Sequence, residues 1–259
     1  MHEFDQHSQL VPLGDFRYGV DLSGLWNVGP VPNGGYLIAL AGKAMAAACS
    51  HQDPLTITGH YLRPAQPGPG ELVVTPIKQG GTFDNAQVSL VQEGSERCRF
   101  IAAYGSLGQI SGPNWRGGEP PVMPPPEACE PLPGTVVLNG RYESRFDPAS
   151  LAWLRGERAD DAEFRVWIRH ADGRANDAWS ILLFADALPP PVFNRFGPSG
   201  WVPTVELTVH LRAIPAPGFV KCCFRTRFVT NGLLEADGEL WDAKGQLVAL
   251  SRQLARLRQ

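Results

Sequence analysis

Long apolar runs are missing from this chain. The most hydrophobic stretch, Gly34 to Cys49, falls short of the roughly 20 residues that a membrane-spanning helix needs, and it contains Lys43. It reads as a buried helix, and no membrane partner is expected. An excess of one charge is missing too. The 23 Lys and Arg residues nearly balance 26 Asp and Glu, for a net charge of −3, and no basic cluster marks a nucleic-acid partner. Cysteines are few and odd in number: Cys49, Cys98, Cys129, Cys222 and Cys223, with no CxxC or Cys/His ligand spacing. Neither a disulfide framework nor a metal site is expected from them; reduced thiols used as small core residues are. The start, MHEFDQHSQL, lacks a basic segment leading into an apolar one, so no secretory signal is read and a cytoplasmic location follows. A GxSxG elbow is absent as well, which argues against a Ser-His-Asp hydrolase of that type.

Proline, by contrast, is concentrated. Eight prolines fall between Pro113 and Pro133. Each removes a backbone donor and interrupts regular ladders, so residues 111–134 read as a linker between an N-terminal unit, 1–110, and a C-terminal unit, 135–259.

The two units repeat one order of elements. In the first, GGYLIALAGKAMAAAC has Leu37, Leu40, Ala41, Ala44 and Ala48 on one helical face, with small or apolar residues opposite, so both sides should be covered. Strand-like runs follow: LTITGHYLR, ELVVTPI, DNAQVSLVQE and RCRFIAAY. The second unit offers a helix from Asn176 or Asp177 to Leu188, stopped by Pro189 to Pro191. VELTVHLR, FVKCCFRTRFV, LLEADGELWD and QLVALSRQLARL come next. FRYGVDLSGLW, RYESRF and FRVWIRH are candidate earlier strands. His60 and His210 lie 150 residues apart, and Gly81/Gly232 and Gly94/Gly245 lie 151 apart. Several spacings in register indicate an internal duplication. One apolar helix followed by antiparallel strands is an α+β layer solution, in which a sheet wraps its helix. Two such sheets can pair edge to edge and so remove an exposed edge.

These segments, in this order, resemble the type II acyl-CoA thioesterases. FRVWIRHADGRANDAWSILLFADAL resembles that family's strand and helix ending in an aspartate. PNGGYLIALAGKAM resembles its Gly-Gly helix, GHYLRPAQPG its Phe-Leu-Arg-Pro strand end, and GGTFDNAQVSLVQEG the strand pair that follows. The resemblance implies a double hotdog: two fused repeats, each an antiparallel sheet around a central helix. It implies hydrolysis of a fatty acyl-CoA, without a cofactor, by a water that Asp186, Thr204 and Gln253 orient. A double hotdog already pairs its sheets within one chain, which allows a monomer; relatives of this kind often associate, which favours a homodimer. The chain departs from the family pattern beside the site, with Ala187, Leu188 and three prolines after the aspartate and Glu206-Leu207-Thr208 after the threonine.

The residues carry part of this chemistry by themselves. A thioester needs a nucleophile, a base for its proton and donors for the developing oxyanion. A carboxylate, a hydroxyl and an amide supply base, donors and acceptors without becoming acylated. Asp186 stands among apolar neighbours in LLFADAL, a costly place for a carboxylate without partners. Period two places Gln253 with Leu247, Ala249, Ser251, Ala255 and Leu257, a polar group on a mostly apolar face. The same period places Thr204 with Glu206, Thr208 and His210 and makes Val205, Leu207, Val209 and Leu211 the core face; a bend after Pro203 would free Thr204 from that alternation. His60 and His210, at equivalent strand positions, read as structural. Trp26, Trp179, Trp201 and Trp241 are core candidates that could also line an acyl channel. Two other functions compete: an acyl-thioester hydratase, which needs an Asp/His pair that the sequence does not offer, and a non-catalytic acyl-CoA-binding or scaffold protein on the same fold.

Overall fold

The computed structural model describes residues 1–132, 136–198 and 200–257. Among the described residues, fourteen strands form one continuous antiparallel sheet. Ten of them make its body: β1 (Arg17–Leu22), β2 (Asp53–Tyr61), β3 (Gly68–Lys78), β4 (Asp84–Gln92), β5 (Ser95–Gly105), β6 (Ala162–His170), β7 (Thr204–Leu211), β8 (Val220–Thr226), β9 (Leu233–Trp241) and β10 (Leu247–Arg256). Two helices, α1 (Gly34–Ala46) and α2 (Ala178–Phe184), pack on each other, and α1 also lies against β2, β3, β4 and β5.

The duplication is visible as topology. β2 pairs with β7 at the centre, and Thr58 stands opposite Thr208, their hydroxyl oxygens 2.8 Å apart. Outward from this pair the order is β5, β4, β3, β1 on one side and β10, β9, β8, β6 on the other. The two half-sheets thus meet through the first strand after each helix and hide the edges that each would expose there alone. This is a double hotdog of α+β class, as the resemblance implies. Alternation supplies the inner face: along β4, every second residue from Asp84 to Gln92 is buried.

Both helices begin on side-chain caps. Asn33 Oδ1 accepts the Tyr36 N–H at 3.1 Å, and Asp177 and Ser180 form a reciprocal capping box. α1 is buried on nearly every side, as its composition requires, and Lys43 finds the Ser8 hydroxyl at 2.7 Å. α2 is shorter than the sequence suggests and ends at Phe184 instead of Leu188. The chain tightens there into i→i−3 turns, with Asp186 N–H to Leu183 O at 3.3 Å and Ala187 N–H to Phe184 O at 3.4 Å, ahead of the three prolines.

Between Gly105 and Pro126 there is neither helix nor strand. The proline-rich segment lies along the second half-sheet, where side chains bond to its carbonyls: Trp167 Nε1 to Pro124 O at 2.9 Å and Lys221 Nζ to Pro121 O at 3.1 Å. Proline offers acceptors and no donors, so donors on the sheet must come to it.

The helices approach closely at Gly35. A methyl group on Gly35 would lie 2.4 Å from the Leu183 carbonyl oxygen, a backbone atom that cannot rotate away. Alanine normally stabilises a helix interior by up to about 1 kcal/mol relative to glycine. Here Gly35→Ala is expected to reverse that sign and destabilise the protein by about 1–3 kcal/mol, the usual cost of overpacking. Urea or thermal unfolding measures it; a stabilised variant would show that the helices do not pack this tightly.

Candidate active site

Asp186 lies just beyond α2, in the tight turn that ends it. Its carboxylate is aimed at the N-terminus of α1 in the other half. Oδ2 accepts the Gly35 N–H at 3.0 Å and Asn33 Nδ2 at 3.1 Å, and Asn33 Nδ2 also reaches the Asp186 carbonyl at 2.7 Å. The Gly-Gly pair makes room: a Cβ on Gly34 would sit 2.7 Å from Asp186 Oδ2. The positive end of α1 therefore faces the carboxylate. Tyr61 closes the arrangement from β2, its hydroxyl donating to the Gly34 carbonyl at 2.9 Å.

Gln253 joins the remaining parts. Its Nε2 donates to Asp186 Oδ1 at 2.8 Å and to Thr204 Oγ1 at 2.6 Å. The three residues named from the sequence thus come together across 67 and 49 residues of chain. Gln253 points inward from β10 as its period predicts. Thr204 does so by the bend: the β7–β10 register slips between Thr204 and Glu206, so two residues of β7 oppose one of β10. That bulge also overturns part of the face assignment. Val205 was expected in the core and is 43% exposed instead, while Leu207, Val209 and Leu211 are buried.

Burial dominates the electrostatics of Asp186. It raises the carboxyl pKa to about 6, against the opposing effect of bonds from Gly35, Gln253, Asn33 and Gly34. The accessible surface left to Asp186 faces a cavity of about 870 Å³, to which Thr204 and Gln253 also contribute. Most of its wall is apolar, with Tyr61, Trp153, Phe193, Trp201 and Phe224 as the aromatic surfaces. Of the tryptophans singled out in the sequence, Trp201 lines the cavity; Trp26 and Trp241 are buried, and Trp179 packs over Gly42. Trp153 was missed, as were Asn33 and Tyr61. His60 and His210 are exposed and do not line the cavity, and among the described residues no histidine does.

The internal symmetry supplies a control. The register that pairs Gln253 with Leu207 pairs Ala102 with Ile57, and the bulge after Thr204 has its counterpart after Pro54. The helix caps Asn33 and Asp177 relate Asp186 to Gly42 and Gly35 to Trp179. The equivalent trio in the other half is therefore Gly42, Ala102 and Pro54, none of which has a polar side chain. Trp179 fills the space, its ring 3.0 Å from where a Gly42 Cβ would stand. Packing has closed one position of the duplicated fold, and the other keeps a cavity and three converging polar groups.

Comparison with known proteins agrees with this architecture. Residues 22–108 match the family model of the acyl-CoA thioesterase N-terminal domain, and residues 118–257 match that of the C-terminal domain. A thioesterase II assigned in Thermobifida fusca YX is 34% identical, covers 100% of this chain and 98% of its own, and superimposes with a TM-score of 0.93. An acyl-CoA thioesterase II of Mycobacterium marinum, at 16% identity and a TM-score of 0.77, with 98% of each chain covered, shares the fold. An uncharacterised protein of Mycobacterium tuberculosis is 28% identical over 265 residues, 91% of this chain and 89% of that one. With both domain models matched in order along one chain, this protein belongs to the acyl-CoA thioesterase family.

Proposed function

We propose that the protein hydrolyses an acyl-CoA with an apolar acyl group to the free acid and CoA, using a water held by Asp186, Thr204 and Gln253. The observation that carries this reading is the bonded trio at the wall of an apolar cavity, with a carboxyl group whose pKa is pushed up to about 6.

A purely structural carboxylate at a helix N-terminus is ordinarily held below its usual pKa. Asp186 is not, because burial outweighs its four hydrogen-bonded partners. An asparagine could bond there without the charge. A carboxylate kept at that cost suits a base that works near neutral pH. Asp186 Oδ1 accepts one N–H from Gln253 and retains acceptor capacity for a water. In the proposed step the water oxygen attacks the thioester carbonyl carbon as Asp186 takes its proton. The Thr204 hydroxyl, which already accepts from Gln253, can donate to the water or to the developing oxyanion. Collapse of the tetrahedral species breaks the C–S bond, and the departing thiolate recovers the proton. The apolar wall suits an acyl chain, each buried methylene contributing about 0.8 kcal/mol. A hydratase would pass protons through a histidine, and this cavity has none among the described residues.

Purified protein given acyl-CoAs of several chain lengths is expected to release thiol. No release with any chain would sink the hydrolase reading. Asp186→Asn and Gln253→Ala are expected to lower kcat by about 10²-fold or more; full activity in either would remove that residue from the site.

The kcat/KM profile is expected to fall on the acid side near pH 6, as Asp186 takes up a proton. Asn33→Ser keeps an oxygen to cap Tyr36 and loses the amide donor to Asp186. It should move that limb to higher pH, because the lost bond favoured the ionised form. An unmoved limb would assign the titration to another group.

Stability should behave in the opposite sense to activity. The folded pKa of Asp186 is raised above its unfolded value. Its favourable contribution is therefore complete below about pH 4 and disappears as pH rises through about 6. Asp186→Asn, with the Gln253 amide turned to accept, should unfold at a higher temperature than wild type at pH 8. The gain, on the order of 2–3 kcal/mol, should vanish towards pH 4. Thermal unfolding at both pH values measures this.

A further inference from the structure

Strand register puts the residues of the cavity wall in spatial order. β2 ends at Tyr61, with Arg63 two residues on. Outward from β2 the sheet runs β7, β10, β9, β8, β6. Those strands bring to the cavity, in turn, Thr204, Gln253, Ala236 and Phe224. The series ends at Trp153, whose ring lies 6.0 Å from that of Phe164 on β6. Trp153 also packs against Phe193, 5.9 Å away, from the short helix Val192–Phe196. The polar trio therefore stands between a wall that begins at Arg63 and one that ends in aromatic rings.

Charge is divided in the same way. Among the described residues that line the cavity, only Arg63 and Asp186 carry it. Arg63 is exposed, and its backbone is fixed: the N–H groups of Leu62 and Arg63 both donate to the Arg97 carbonyl, at 2.9 and 3.0 Å. Among the described residues its guanidinium makes one hydrogen bond, from Nη1 to the Glu96 carbonyl oxygen at 3.3 Å. The Glu96 carboxylate is already bonded to Arg99 at 2.7 and 3.0 Å and to the Ser89 hydroxyl at 2.7 Å. The guanidinium thus keeps most of its five N–H donors for a ligand. The duplication repeats the backbone device with its cation one residue earlier, at Arg212, whose guanidinium bonds to the Leu211 carbonyl. Arg212 and Ala213 donate to the Val248 carbonyl at 2.8 and 3.5 Å, and Ala213 occupies the place of Arg63. Arg63 stands at the open position, contributed by the half whose own trio position is closed.

We infer that Arg63 binds a phosphate of the CoA moiety and so fixes the direction of the substrate, with the carrier at the β2 end and the acyl group against Trp153 and Phe193. The inference rests on the thioesterase reading and extends it. An acyl-CoA has, in sequence, phosphates, a pantetheine arm, a thioester and an apolar chain. The wall presents, in the same order, a cation, the proposed hydrolytic trio and aromatic rings. Arginine suits the first because its planar fork matches phosphate oxygens.

Two thioesters of the same acyl group test it: the CoA ester and the N-acetylcysteamine ester, which has no phosphate. In Arg63→Ala the ratio of kcat/KM for the CoA ester to that for the short ester should fall about tenfold or more, mainly through KM, and Arg63→Lys should restore part of it. Raising ionic strength should lower kcat/KM for the CoA ester more steeply in wild type than in Arg63→Ala. Titration of CoA itself, followed by calorimetry, should show binding at least about tenfold weaker in Arg63→Ala. An unchanged ratio together with unchanged CoA binding overturns the role of Arg63 and leaves the hydrolase reading intact. CoA binding that depends on Arg63, with neither ester hydrolysed, overturns the hydrolase reading and keeps the phosphate contact.

Discussion

A single carboxylate lodged at the start of a helix holds the functional region in place. Asp186 follows the helix of one half of the duplicated core and meets Asn33 and Gly35 at the start of the other half's helix. The contact requires two glycines in succession, because any side chain at Gly34 or Gly35 would strike Asp186 or the Leu183 carbonyl. It also requires α2 to stop early, since continuing to Leu188 would carry the Asp186 backbone along a helical path. Helix length, helix approach and the orientation of the proposed base are therefore one constraint. The burial that results pushes the carboxyl pKa up to about 6.

Symmetry and its loss explain why only one of the two equivalent trio positions opens on a cavity. Each half contributes a helix and five principal strands, and the halves are related about the Thr58–Thr208 pair. The connections differ. Six residues separate the end of α1 at Ala46 from Asp53, whereas the path from Phe184 to Thr204 is much longer and includes five prolines, a short helix and Trp201. That longer connection walls the cavity, with Phe193 facing it. In the first half Trp179 fills the equivalent space over Gly42. A duplicated fold with two potential sites has thus become asymmetric through one loop insertion and one large side chain.

Several features were legible because they depend on local periodicity. The buried character of α1, the inward face of Gln253 and the repeated spacing of turns are all written in neighbouring residues. The rest depends on approach between distant segments. Asn33 is an ordinary helix cap in sequence, and only the fold reveals its second donor bond, to Asp186. Thr204 lies on the polar face by strict alternation; a bulge whose partner strand lies about 50 residues away turns it inward and leaves Val205 exposed. Trp153 gave no local signal, and Arg63 was marked only as part of GHYLRPAQPG, without a role, since lining a cavity is a property of the space between elements.

By itself the sequence determined the α+β double repeat, the apolar helix that needs cover on both sides and the presence of a carboxylate, a hydroxyl and an amide in the second half. These follow from composition and period, which act over a few residues. Only the tertiary structure decided that the three groups meet, that the first half supplies the helix end against which the proposed base rests, and that the cavity has a cationic end and an aromatic one. Those outcomes depend on where strands slip register, where a helix stops and how closely two backbones can pass, and such long-range contacts have no signature in any short stretch of chain.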